Sequence, residues 1–152
     1  MRESESGGRN LIERAIAWVE EREATIAQYG RPLDELEVVD ARAVGVKSPD
    51  LVRVLEVDAI ELPTNAELRG LAEASGAFSD ATFGMTFGHG ICMIRGRTNR
   101  RRLSHELRHV YQYEEAGSVA QFIPVYLSQV LSVGYVNSPL EVDARAHEIR
   151  SE

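Results

Sequence analysis

The chain has 152 residues, 43% of them hydrophobic and 27% charged, a balance that suits one globular domain with its own core. Its formal net charge of −7 disfavours nonspecific association with nucleic acid or anionic membrane, and its one cysteine, Cys92, excludes an internal disulfide. The longest apolar stretches fall short of a membrane span and the polar N-terminus does not read as a Sec signal peptide. A cytoplasmic location is expected, with non-classical export the alternative.

Residues 1–9 read as a flexible tail and residues 10–152 as a single domain. Asn10 and Glu13 have the spacing of a capping box, and Ile12, Ala15, Ile16, Val19 and Ile26 follow helical spacing toward Tyr29, with Gly30 as the stop. A second helix is expected from Pro32, burying Leu33, Leu36, Val39 and Ala43 and ending at Gly45. Residues 51–57 carry strand chemistry. Thr64 with Glu67 predicts another capping box, opening a short helix that Gly76 closes. Residues 82–95 return to strand, with Phe83, Met85 and Phe87 alternating and Gly88-His89-Gly90 predicting a hairpin, a bulge within one long strand being the alternative.

An Arg-rich connection leads into a helix over 100–116, ended by Gly117. Residues 118–132 are helical in pattern, with Pro124 either kinking the helix or starting a new turn. Ser138-Pro139 opens a last helix carrying residues 141–150, since Pro suits the first helical position.

The helix over 100–116 contains His105-Glu106-Leu107-Arg108-His109. Residues four apart lie on one helix face, so both imidazoles can reach one zinc ion. Glu106, one step round, can hold and deprotonate a water at that ion. A catalytic zinc wants a third protein ligand, and the candidates downstream are Glu114, Glu115, Glu141, Asp143, His147 and Glu148. A ligand within a Gly-containing turn fits poorly, because Gln112 and Glu115 stand where that turn needs Gly and His. Glu141 is the better choice. It opens the last helix, the intervening helix lets the chain double back, and Ala144 one turn later permits close approach to the motif helix.

His105-Glu106-Leu107-Arg108-His109 together with Glu141-Val142-Asp143-Ala144 resembles the gluzincin metallopeptidases, in which a downstream Glu-x-x-Ala or Glu-x-x-x-Asp helix supplies the third zinc ligand. The wider pattern runs from Leu103 to Gln112, through Phe122, Tyr126-Leu127 and Gly134-Tyr135, to Asn137-Ser138-Pro139 and Ala146. It is similar to small bacterial metallopeptidases, minimal gluzincins, including the zincin-like domain found with contractile injection systems. The resemblance runs from about Ala81 to His147, and the region before it matches weakly or not at all. It implies zinc ligands at His105, His109 and Glu141 and a general base at Glu106. One departure is Arg145, four residues after Glu141, where larger gluzincins place an Asp that orients the first His; Asp143 is the candidate substitute.

The expected fold is α+β and zincin-like: a small, mostly antiparallel sheet with the active-site helix and the glutamate helix clasping zinc. The expected activity is hydrolysis of a peptide bond in a peptide or protein substrate. Tyr135, His147 and Arg145 are candidate donors to the oxyanion, with Tyr135 preferred, and the strand over 82–95 can pair with an extended peptide. The rival readings are a non-catalytic zincin-like binding or structural module and a zinc amidohydrolase acting on a non-peptide amide. Oligomeric state is not legible.

Other signals carry plainer readings. Arg95, Arg97, Arg100, Arg101 and Arg102 suit a solvated loop better than a site for acidic peptide or phosphate. His89 reads as a turn residue, Cys92 as a small buried hydrophobe, and Tyr111, Tyr113, Phe122 and Tyr126 as core packing. Gln112, near His109 on the same face, can hydrogen-bond near the site.

Overall fold

In the computed structural model, which describes residues 2–79 and 82–150, helix α1 (Arg2–Tyr29) takes in much of the expected tail; Met1 lies outside the described residues. Gly30 closes α1, donating its N–H to the Ile26 carbonyl at 2.7 Å. Strand β1 (Arg31–Pro32) follows, so Pro32 pairs in the sheet instead of opening the second helix. Helix α2 (Glu35–Ala43) starts at Asp34, whose carboxylate accepts the Glu37 N–H while Glu37 accepts the Asp34 N–H, a reciprocal cap. Its expected apolar face is also corrected. Leu36 and Val39 are 57% and 60% exposed, and α2 packs instead through Ala41 and the buried Asp40. Asp40 faces inward because Arg100 grips both its oxygens at 2.8 Å.

A 3-10 turn (Pro49–Leu51) leads into β2 (Arg53–Val57). Helix α3 (Ala66–Ser75) is capped by Asn65, whose side chain accepts the Leu68 N–H at 3.0 Å, not by Thr64. The expected hairpin is present as β3 (Gly84–Phe87) and β4 (Gly90–Ile94), with the chain turning through Gly88 at a φ of 64°. Helix α4 (Arg100–Ala116) matches its expected span, and α5 (Val119–Val133) runs on through Pro124. Helix α6 (Pro139–Ala146) ends short of Arg150, with His147 at its C-cap.

The strand order is β1-β2-β4-β3. The outer pairings are antiparallel, but β2 and β4 run parallel along five residue pairs, so the sheet is mixed rather than mostly antiparallel. Parallel neighbours need a long crossover, and α3 with β3 lies in that connection. Side chains alternate across the sheet. Ile91 and Met93 join Val54, Leu103, Leu107 and Val110 in a core under α4. Cys92 and Phe87 join Ala15, Val19 and Ile26 in a second core under α1, extended by Phe122 and Ile123 of α5. Among the described residues no single helix is long and apolar enough to cross a membrane.

Candidate metal centre

Helix α4 presents one face to the sheet and the other to α6. Asn99 caps it by accepting the Arg102 N–H at 2.8 Å. The arginines at its start, unfavourable toward a helix dipole, are engaged within the molecule. Arg100 holds Asp40, Arg101 approaches Glu148 at 3.4 Å, and Arg102 donates to the Arg97 carbonyl at 2.7 Å while its guanidinium lies 4.0 Å from the Phe83 ring centre. Arg95 pairs with Glu56 and Asp58.

One turn apart on α4, His105 and His109 stand edge to face with ring centres 5.0 Å apart. Helix α6 delivers Glu141 between them. Its Oε1 lies 3.1 Å from His105 Nε2, and its Oε2 lies 3.1 Å from His109 Nε2. The local sequence explains the placement. Ser138 is fully buried as N-cap and accepts the Glu141 N–H, Pro139 starts the helix, and Ala144 is fully buried, as close packing requires. Gln112 ties the two helices by donating to the Leu140 carbonyl and to Asp143, each at 2.9 Å.

Those two bonds also orient the imidazole of His109. With its NH2 committed to two acceptors, Gln112 turns its carbonyl oxygen to His109 Nδ1 at 2.7 Å, so Nδ1 is the donor. Glu148 does the same for His105, with Oε2 2.9 Å from Nδ1. Both rings therefore point Nε2 at the Glu141 carboxylate, the arrangement a metal-binding histidine needs. The facing ligand atoms of His105, His109 and Glu141 all lie within 4.8 Å of one another. Two imidazole nitrogens and a carboxylate make a donor set that fits zinc and leaves a fourth position for water.

The charges agree with that geometry. Burial works against protonation of His109, but the charge and hydrogen bond of Glu141 prevail and raise its pKa to about 9. The same contest raises His105. Burial opposes ionisation of Glu141, yet the two imidazoles hold its pKa well below the usual carboxylate range. The proton held on His109 thus sits where a cation would bind.

Glu106 is buried beside this cluster. Its Oε1 accepts from the Thr86 hydroxyl at 2.9 Å. Strand alternation places Gly84 and Thr86 on the same face, toward α4. A Cβ at Gly84 would stand 2.6 Å from Met93 Sδ and 3.2 Å from Glu106 Cγ, so the buried Met93 side chain would have to shift. Tyr135 lines the same cavity as Glu106, His109 and Glu141. Burial and then the charge of Glu141 raise its phenol pKa, so the hydroxyl stays protonated.

The remaining candidates go elsewhere. Asp143 binds Arg108 at 2.8 Å and does not orient His105; Glu148 fills that role. His147 directs Nδ1 to the Asp143 carbonyl at 2.8 Å, and Arg145 donates to the Val136 carbonyl. Glu114 accepts the backbone N–H of Lys47 and Ser48, and Glu115 pairs with Lys47. His89 bridges Glu114 and Glu23 at its turn, and Cys92 is buried, which raises its thiol pKa. Tyr126 packs against the core beside Phe122, as expected, and has a further role: its hydroxyl donates to Glu141 Oε2 at 2.9 Å. Only the fold-back of α5 over α4 reveals that role; a tyrosine on an apolar helix carries no such signal by itself.

An apolar cavity of about 110 Å³ opens beside the cluster, at the β3 edge of the sheet between α1, α3 and α5. No family model, curated protein or solved structure matches the chain.

Proposed function

We propose that this protein is a zinc-dependent metallopeptidase of gluzincin type with a zincin-like fold. The observation that carries the reading is the meeting of two Nε2 atoms and the Glu141 carboxylate, with Glu106 lining the same cavity as His109 and Glu141. Zinc bound there would supply a Lewis acid for the substrate carbonyl and bring the pKa of a water toward neutrality.

The chain's own residues supply the rest. Glu106, steadied by the Thr86 hydroxyl, takes a proton from the attacking water and returns it to the leaving amine. Tyr135, protonated and lining the cavity, donates to the developing oxyanion. Tyr126 fixes Glu141 by bonding its Oε2. Glu148 and Gln112 keep both imidazoles in the tautomer that exposes Nε2.

The Glu106→Gln variant tests the reading. Loss of the base should lower peptide cleavage by about 10²–10⁴-fold with zinc content unchanged. Equal cleavage by wild type and variant would leave a zinc-binding structural module as the better account. Turnover of small amides without cleavage of any peptide in a library would favour an amidohydrolase.

A further inference from the structure

We infer that the cavity beside the cluster takes a large apolar side chain of the substrate, of Leu or Phe size, adjacent to the bond cleaved; this rests on the proposed peptidase function. The walls are Trp18 of α1, Leu68 and Leu71 of α3, Phe78, and Ile123 and Leu127 of α5. Four of these precede the stretch that resembles gluzincins, so most of these walls lie outside that resemblance.

Four of its polar lining groups are already paired, while Tyr135 belongs to the catalytic end. Ser75 donates to the Ala72 carbonyl at 2.6 Å, Thr86 to Glu106, Tyr113 to the Thr86 carbonyl at 3.2 Å and Tyr126 to Glu141. A polar side chain entering the chamber would lose its water and find no free partner among these groups. The charged lining groups, Glu106, His109 and Glu141, belong to the catalytic end. A substrate carbonyl held at that end therefore directs a neighbouring side chain into apolar space. The volume of about 110 Å³ is several times what one water needs, about 10–15 Å³.

Trp18 is the only tryptophan of the chain and lines the chamber, so its fluorescence reports on occupancy. The test titrates zinc-loaded protein with hydroxamates that share one chelating head: acetyl, isocaproyl, hydrocinnamoyl and the charged succinyl compound. Isocaproyl and hydrocinnamoyl hydroxamate should bind at least about tenfold tighter than acetohydroxamate and shift Trp18 emission, and succinyl hydroxamate should gain nothing. Ala72→Phe, which fills the chamber, should level the series at unchanged zinc content. The wild-type series decides even if that variant does not fold. A flat series, or a preference for the charged compound, at full zinc occupancy overturns the inference and leaves the metal reading standing. Failure to take up zinc at all removes the peptidase reading, and this inference with it.

Discussion

His109 is buried against Glu141, and in the metal-free protein its proton lies at the point where the three ligand atoms converge. Its pKa is raised from 6.5 to about 9, so it is protonated at neutral pH and must lose that proton to bind metal. Zinc binding at pH 7 should therefore release protons, and affinity should climb as pH rises toward 9. Calorimetry in buffers of different ionisation enthalpy measures the release; binding with no proton release would contradict the assignment. The sign for stability of the metal-free protein follows from linkage. The raised His109 contributes fully below 6.5, and that contribution is lost as pH rises through about 9. The lowered Glu141 contributes above 4.5 and loses its contribution as pH falls below that value. Gln112→Ala and Glu148→Ala should each weaken zinc about 10–100-fold without abolishing it, as read by competition with a chelator. Gln112 was legible from its place near His109 on α4. Glu148 and Tyr126 were not, because their approach to the site depends on how α5 and α6 return across α4.

Helix α4 is shared between chemistry and core. Its motif sets the proposed ligands and base beside Leu107, which is fully buried in the core beneath the helix with Leu103 and Val110. Leu107→Ala should cost about 2–5 kcal/mol of stability, measured by denaturant unfolding; a loss within experimental error would mean that α4 is not seated on the sheet as described. The stop at Gly117 made the end of α4 readable from the sequence, since a C-cap acts locally. The face of α2 was not readable. Its apolar residues Leu36 and Val39 point outward because the ion pair between Asp40 and Arg100, sixty residues apart, decides the orientation. The parallel pairing of β2 and β4 was equally hidden, for register between distant strands depends on the whole crossover.

Across the molecule, the cores seat α4 on the sheet, Gln112 and the Arg108–Asp143 pair tie α6 to it, and α1, α3 and α5 enclose the apolar chamber. The spacing of two histidines and the start of one late helix were enough to point to the ligand cluster, because both are local features of helices. The chamber was invisible beforehand, since its walls come from segments far apart in the chain. The proposed zinc would tie these parts together, and the most direct test is metal content after incubation with zinc and exhaustive dialysis, for wild type and for Glu141→Ala. The wild-type protein should retain about one zinc per chain, as expected for a three-ligand site, and Glu141→Ala should retain little. A folded wild-type protein that takes up no zinc at neutral pH, or zinc retained equally by Glu141→Ala, would contradict the account.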